Sequence, residues 1–145
     1  DSEGEDIGEE VPDGEVADTA DSTYYTMEQK QLIYAIVAEE DDTSYDGALA
    51  VISTAMNRAD KNYGGFGTTA LSQLTAESQY RYSSDVDPSG HYRNRLKGNV
   101  PDFVIRACDD CLNNGIRNTD CDSLSETKPA EGPSKQIGIN YYYNS

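Results

Sequence analysis

The chain has 145 residues, and 27 acidic against 11 basic side chains give it a formal net charge of −16. This length suits one domain with a small core, and no apolar run is long enough to span a bilayer. The acidic balance argues against binding to nucleic acid or to anionic lipid, since clustered cations supply the affinity for both. The chain begins at Asp1 without a Met or an apolar leader, so we expect a mature, exported fragment whose signal peptide has been removed.

Residues 1–23 differ in composition from the rest of the chain. They hold ten acidic side chains, no Lys or Arg and no aromatic residue. Such a segment cannot bury enough apolar surface to offset the entropy lost on ordering. We therefore expect a disordered acidic linker over residues 1–23 and one folded domain over residues 24–145.

Two helices are predicted by a capping residue followed by apolar residues at helical spacing. Thr26 with Gln29 fits a capping box, and Ser44 can cap a second helix from Tyr45 to about Asp60. The apolar positions are Leu32, Ile33, Ile36 and Val37 in the first helix, and Ala48, Val51, Ile52, Ala55 and Met56 in the second. The start of the second helix is apolar on several sides, so we expect this helix to be central.

The rest of the domain is predicted as two further helices, loops and a closing strand. The glycines of residues 63–67 predict a loop, after which Thr68 or Thr69 can cap a short third helix. A fourth helix is predicted from Pro101, at a first helical position, to Gly115, a left-handed C-cap. Its buried face would be Phe103, Val104, Ala107, Cys108, Cys111 and Leu112. Residues 137–143 are strand-like, so the fold class is α+β and mostly helical.

The cysteines and the one histidine do not have the spacing of a metal site. Cys108 and Cys111 form a CxxC motif on a predicted helix, and Cys121 is the only other cysteine, whereas structural zinc needs four ligands. His91 lacks the neighbours of a catalytic triad. We expect no metal and no cofactor. In an exported protein we expect a Cys111–Cys121 disulfide across the short loop with Gly115, with Cys108 buried and free; Cys108–Cys121 is the alternative.

Glu39 is the carboxylate that we single out as a candidate general acid. It lies at the end of the apolar first helix, beside the apolar stripe, where partial burial would suit a proton donor of the glycosidase type. The alternative interpretation is structural. Residues 39–42 are four consecutive acids, and such runs usually form a solvated helix end.

Residues 36–58 resemble the SleB/CwlJ-type cell wall hydrolases, which include the spore cortex-lytic enzymes. In that family an apolar helix ends in a Glu, a Gly follows eight positions later, and an Ala-Val-rich helix ends in Asn-Arg. Glu39, Gly47 and Asn57-Arg58 match this pattern. Three later segments match in order: residues 78–80 a Gln-Phe segment, residues 101–115 a Pro-led helix, and residues 137–142 a closing Gly and Phe-Tyr strand. The resemblance covers essentially the whole predicted domain.

The chain departs from the family pattern at several positions while it retains the Glu. Glu40 stands where the family has Ala, Ala48 replaces Gln, Tyr80 replaces Phe, and Asn140 stands where a His is usual. We expect the Asn57-Arg58 pair to tie the helix end to the fold rather than to contact substrate.

The resemblance implies a lysozyme-like fold and cleavage of the glycan strand of peptidoglycan by a secreted or cell wall-associated monomer. It implies Glu39 as the sole acid/base of a lytic transglycosylase, which yields 1,6-anhydro-muropeptides. A muramidase or glucosaminidase that uses water is one alternative, with Asp42, Asp46 or Glu77 as its second carboxylate. A non-catalytic peptidoglycan-binding module is the other.

Sugar contacts are expected from aromatic faces and amide groups in two parts of the chain. Gln79, Tyr80 and Tyr82 fall in the irregular middle segment, and Tyr141 and Tyr142 fall in the closing strand. A tyrosine ring can stack on a sugar while its hydroxyl forms hydrogen bonds. We therefore predict these five residues as the substrate-binding set.

Overall fold

The computed structural model describes residues 25–80 and 95–145. Within these ranges the fold is α+β and mostly helical, as predicted. The elements are helices α1 (Met27–Glu40), α2 (Tyr45–Asp60), α3 (Ala70–Leu74) and α4 (Asp102–Asn114), and strands β1 (Ser123–Ser125), β2 (Lys135–Ile137) and β3 (Asn140–Tyr143). A short 3-10 turn, Tyr63–Gly65, lies in the predicted glycine loop.

The caps of the first two helices are those that the sequence predicts. The Gln29 N–H donates to Thr26 Oγ1 at 3.1 Å, and the Thr26 N–H donates to Gln29 Oε1 at 2.9 Å, which completes the capping box. At the start of α2, Ser44 Oγ accepts from the Gly47 N–H at 2.9 Å. These bonds satisfy N–H groups that a helix end otherwise leaves unpaired.

The ends of α3 and α4 refine the prediction. Thr69, not Thr68, caps α3, with its Oγ1 accepting from the Ser72 N–H at 3.1 Å. Pro101 is the N-cap residue of α4 rather than its first helical residue, and Gly115 ends the helix with φ +71°. A residue in the left-handed conformation at this position allows backbone N–H groups after the helix to donate to its last carbonyl oxygens.

Helix α2 is central, as predicted, and contacts α1, α3, α4 and the edges of the sheet. One core joins the helices. Its buried residues include Ile33, Ile36 and Val37 of α1, Ala48, Val51, Ile52 and Ala55 of α2, and Val104, Ala107, Cys108, Cys111 and Leu112 of α4. This core packs α1 against α2.

The sheet is antiparallel, in the order β1-β3-β2. Leu124 of β1 pairs with Tyr142, and Gln136 of β2 pairs with Tyr141. Residues 137–143, predicted as one strand, are divided between β2 and β3 because Gly138 turns the chain with φ +64°. Strand β1 is too short to leave a period-2 pattern in the sequence.

In the part of the chain that the structure describes, no helix has the length and apolar character needed to cross a membrane. The predicted acidic linker, His91 and the predicted sugar contact Tyr82 lie outside the described residues.

Candidate active-site groove

Glu40, the last residue of α1, lies on the core-facing side of that helix. It follows Ile33, Ile36 and Val37 at positions i, i+3, i+4 and i+7, which share one helical face. The three apolar residues are fully buried, and Glu40 is 8% exposed. Glu40 therefore continues the buried face of α1, and it lies where that face reaches the edge of the core.

Glu40 forms part of the wall of an open groove with a volume of about 390 Å³. We call this the Glu40 groove. Its other lining residues come from the segment before residue 81, from β1 and the loop after it, and from β3: Ser78, Gln79, Tyr80, Leu124, Ser125, Glu126, Thr127 and Asn140. The wall thus offers carboxyl, hydroxyl and amide groups beside a small apolar surface, a combination that suits an uncharged polar ligand.

Asp41, the residue after Glu40, is 1% exposed and does not line the groove. Its Oδ1 accepts from the Thr43 N–H and hydroxyl at 2.9 and 2.6 Å, and its Oδ2 accepts from the Ile139 N–H at 3.0 Å. Gly47 and Gly138 approach this carboxylate so closely that a Cβ atom on either would overlap it. The Asp41 carboxylate therefore joins the α1–α2 turn to the β2–β3 turn.

A second bond links the same two regions. Asn140 is 1% exposed, and its Nδ2 donates to the backbone carbonyl oxygen of Glu40 at 3.1 Å. Asn140 thus holds the end of α1 through the backbone. Glu40 and Asn140 are adjacent parts of one wall as a result.

Arg58 supports the part of the wall that Gln79 and Tyr80 form. This arginine is 5% exposed, and its Nη1 donates to Gln79 Oε1 at 3.1 Å. Its guanidinium lies 4.2 Å from the centroid of the Tyr63 ring and 5.1 Å from that of Tyr80, distances typical of cation–π contacts. Its Nε donates to the backbone carbonyl of Asp122 at 2.5 Å.

The Asn57-Arg58 pair ties the end of α2 to the fold, as predicted. Asn57 Nδ2 donates to the backbone carbonyls of Thr119 and Cys121 at 2.9 and 2.8 Å. Asn57 contacts the segment before β1, while Arg58 reaches the groove wall.

Two features of the segment before residue 81 mark it as unusual. Ser78 has φ +66°, a left-handed conformation that is costly for a residue other than glycine and that often accompanies functional sites. Tyr80 is 3% exposed, and its hydroxyl lies 3.0 Å from Thr54 Oγ1. Burial raises the pKa of Tyr80 to about 12, although the Arg58 charge opposes that rise. Tyr80 is therefore a neutral wall residue at any physiological pH.

Glu39, the acid singled out from the sequence, has different neighbours. Its Oε2 accepts from Arg95 Nε at 2.9 Å, and Arg95 Nη2 also donates to Asp42 Oδ2 at 2.6 Å. Glu39 does not line the Glu40 groove. The structure places Glu39 in a partly buried ion-pair network with Arg95 and Asp42, and its catalytic role stays a prediction.

The predicted second carboxylates do not line the groove either. Asp42 pairs with Arg95, and Asp46 and Glu77 are exposed. The carboxylate that shares the groove with Glu40 is instead Glu126, which is exposed on the loop after β1.

The predicted sugar contacts are divided among several places. Gln79 and Tyr80 line the groove, while Tyr141 and Tyr142 do not. Tyr141 is half-buried, and Tyr142 is 1% exposed and lines a separate cavity of about 380 Å³ together with Tyr143. Contact of either tyrosine with a sugar stays a prediction. Burial, and then the charge of Asp41, raise the pKa of Tyr142.

None of the three cysteines forms a disulfide, so the predicted Cys111–Cys121 bond is not present. Cys108 is fully buried, as expected for the unpaired cysteine, and Cys121 is half-buried. Burial, followed by the neighbouring Cys111, raises the pKa of the Cys108 thiol. In residues 25–80 and 95–145, no group of three or more His, Cys, Asp or Glu side chains could hold a metal ion.

Sequence reasoning missed Glu40 and Glu126 as groove residues. The helical stripe of Ile33, Ile36 and Val37 extends to Glu40 and could have selected it over Glu39. The sequence carries no comparable signal for Glu126, because it follows a strand of three residues, which is too short to show an alternating apolar and polar pattern.

No protein-family model, no curated protein and no solved structure matches this chain.

Proposed function

We propose that this chain cleaves the glycan strands of peptidoglycan, acting as a secreted, cell wall-associated enzyme with a lysozyme-like arrangement of helices and sheet. The resemblance to the SleB/CwlJ-type hydrolases suggests this activity. The observation that carries the proposal is the position of Glu40, an acidic residue 8% exposed at the end of a core helix and on the wall of an open polar groove. Glycosidases use a carboxyl that is partly withdrawn from water as their proton donor.

Within this proposal Glu40 is the acid/base, and Glu39 is the alternative that the family spacing favours. The two side chains differ in what surrounds them. Glu39 is bound by Arg95, whose second nitrogen also holds Asp42, whereas Glu40 lines the groove in which a polysaccharide strand would lie. Access to the substrate therefore favours Glu40.

The proposed reaction needs one carboxyl. Glu40 gives its proton to the glycosidic oxygen that leaves C1 of the muramic sugar, and the C1–O bond breaks. The resulting carboxylate takes the proton of the muramic 6-hydroxyl, whose oxygen attacks C1 and closes a 1,6-anhydro ring. No water is consumed, and the intramolecular nucleophile has a large effective concentration. This reaction is that of a lytic transglycosylase.

Hydrolysis by water is the second candidate, and Glu126 is the observation that favours it. A carboxylate across the groove from the acid can activate water or form a glycosyl-enzyme intermediate. Glu126 lines the same groove as Glu40. The chain would then be a muramidase or a glucosaminidase.

The test of the acid/base assignment compares two neighbouring variants, E40Q and E39Q, in the digestion of purified peptidoglycan. Glutamine keeps the size and hydrogen bonding of glutamate and removes the transferable proton. We expect E40Q to lose about 100-fold or more of the activity, the usual contribution of a general acid. We expect E39Q to keep most of it. The reverse result would assign the acid to Glu39, and full activity in both variants would contradict catalysis by either residue.

The product identifies the reaction when the digestion is run in heavy-oxygen water and the fragments are analysed by mass spectrometry. A transglycosylase releases unlabelled anhydro-muropeptides, whereas a hydrolase places one labelled oxygen at each new reducing end. Labelled products that disappear in E126Q would support the hydrolase. A folded protein that binds the wall and releases nothing would leave only a non-catalytic binding module.

A further inference from the structure

We infer that a second cavity, beside strands β2 and β3, binds an α-amino acid through the ammonium and carboxylate groups of its head. The cavity has a volume of about 380 Å³, and its wall is formed by Cys121, by residues 131–135, which lead into β2, and by residues 142–144 at the end of β3. We call it the Lys135 cavity. It shares no lining residue with the Glu40 groove, so the inference goes beyond the proposed function.

The wall of the Lys135 cavity carries one cation and one anion that do not neutralise each other. Lys135 and Glu131 are both exposed, and neither forms an ion pair within residues 25–80 and 95–145. Separate charges of opposite sign on one cavity attract a ligand that carries the complementary pair. An α-amino acid has this pair, because its ammonium and carboxylate groups are bonded to the same carbon atom.

Uncharged groups of the wall also suit the carboxylate of the ligand. Ser134 Oγ is buried and has no hydrogen-bond partner in the part of the chain that the structure describes, which is uncommon in folded proteins and costs free energy. Asn144 Oδ1 accepts from the Asp122 N–H at 3.1 Å, while Nδ2 of the same amide donates to none of the described residues. A carboxylate can accept from a hydroxyl, an amide N–H and an ammonium group together.

The wall offers apolar surface for the side chain of the amino acid. Pro133 lies in the wall, and Tyr143 is half-buried there. A tyrosine ring packs well against a second aromatic ring, and the volume of the cavity is within the range of small-molecule sites. We therefore expect phenylalanine to be a suitable probe.

The test compares phenylalanine with two analogues that each lack one charge, titrated at neutral pH and followed by NMR of the ¹⁵N-labelled protein. N-acetylphenylalanine has no ammonium group, and phenylalanine amide has no carboxylate. We expect each analogue to bind about threefold or more weakly than phenylalanine, the usual size of the effect of a partly exposed ion pair. Equal binding of all three probes, or no binding of phenylalanine, would overturn the inference.

Two variants assign each preference to one side chain. K135Q should remove the preference for phenylalanine over its amide, and E131Q should remove the preference over N-acetylphenylalanine. The matched controls are K128Q and E28Q, which make the same charge changes at exposed residues outside the cavity and should keep both preferences. Preferences that persist in K135Q and E131Q would contradict the assignment.

Cys121 reports whether the ligand lies in this cavity. Its side chain is half-buried in the wall, whereas Cys108 and Cys111 are buried in the core. We expect saturating phenylalanine to slow the alkylation of Cys121 by N-ethylmaleimide about threefold or more, as measured by mass spectrometry of the peptides. An unchanged rate in the presence of bound phenylalanine would place the ligand elsewhere and overturn the inference.

An α-amino acid head can belong to a free amino acid or to one that is joined to a peptide through its side chain. Comparison of glutamate with γ-glutamylglycine, which keeps the head and adds a peptide bond, separates these sources. Similar affinities would support a head carried on a peptide, and binding of glutamate alone would support a free amino acid. None of these measurements depends on cleavage of peptidoglycan, so the inference and the proposed function succeed or fail separately.

Discussion

Two adjacent glutamates at the end of α1 have separate environments because consecutive helical residues point about 100° apart. Glu39 faces Arg95, and Glu40 continues the buried stripe into the groove. Spacing to Gly47 and the periodicity of α1 are independent signals, and they select different residues. The sequence could therefore locate the acidic end of α1 as the candidate site, but only the packing of that end separates one carboxylate from the other.

The presence of glycine at position 47 has a steric explanation, because a Cβ atom there would overlap the Asp41 carboxylate. We predict that G47A lowers the free energy of unfolding by about 1–3 kcal/mol, the usual cost of overpacking. Urea denaturation measures the change. In a D41A background the same substitution should cost less than about 1 kcal/mol, because the obstructing side chain is gone and alanine suits a helix. Equal costs in both backgrounds would contradict this explanation.

The lowered pKa of Asp122 predicts that the folded protein loses stability in acid. Burial alone would raise its pKa, but hydrogen bonds from Lys61, the Ser145 N–H and Ser123 outweigh burial and hold the pKa at about 2, below its usual 3.8. A folded-state pKa that is lowered adds stability above the unfolded-state pKa, and this stability is lost as the pH falls from about 4 to 2.

The expected contribution of the ionised Asp122 is about 2 kcal/mol. Urea denaturation of the unmodified protein and D122N at pH 7 and pH 2 measures it: the difference between the two proteins should shrink by about that amount at pH 2. D120N, at an exposed carboxylate nearby, is the control and should show little change. A difference that does not depend on pH would rule out this role of Asp122.

At the scale of elements, the sequence predicted the helices well because their signals are local. The capping box at Thr26, the Ser44 cap and the left-handed Gly115 all form as expected. The sheet was predicted poorly because its pairing is not local: β1 finds its partner some 20 residues along the chain, and Gly138 divides what reads as one strand. The groove shares this difficulty, since most of its wall depends on where the sheet docks.

Thr68 and Thr69 offer a matched pair for testing a cap. Thr69 Oγ1 accepts from the Ser72 N–H, whereas Thr68 precedes the cap and is exposed. We predict that T69A lowers the free energy of unfolding by about 1 kcal/mol and that T68A leaves it within about 0.5 kcal/mol. Chemical denaturation of the two variants decides the matter, and equal losses would show that α3 does not depend on this cap.

At the scale of the whole molecule, charge is unevenly divided along the sequence. Residues 1–23 carry ten of the 27 acidic side chains, which leaves a net charge of −6 on residues 24–145. We predict that deleting residues 1–23 changes the melting temperature by no more than a few degrees, because a segment of this composition forms few stabilising contacts. Thermal unfolding followed by circular dichroism is the measurement, and a drop of ten degrees or more would show that the segment packs on the domain.

The bonds from Ile139 to Asp41 and from Asn140 to Glu40 join residues 98 and 100 positions apart. Closing a loop of this length costs chain entropy, and Asn140 forms its part of the Glu40 groove wall only while the β2–β3 hairpin is docked. The apparent affinity of any groove ligand therefore equals its intrinsic affinity scaled by the docked fraction. A substitution in the hairpin can weaken binding without touching the ligand, and a bound ligand must in turn hold the hairpin in place.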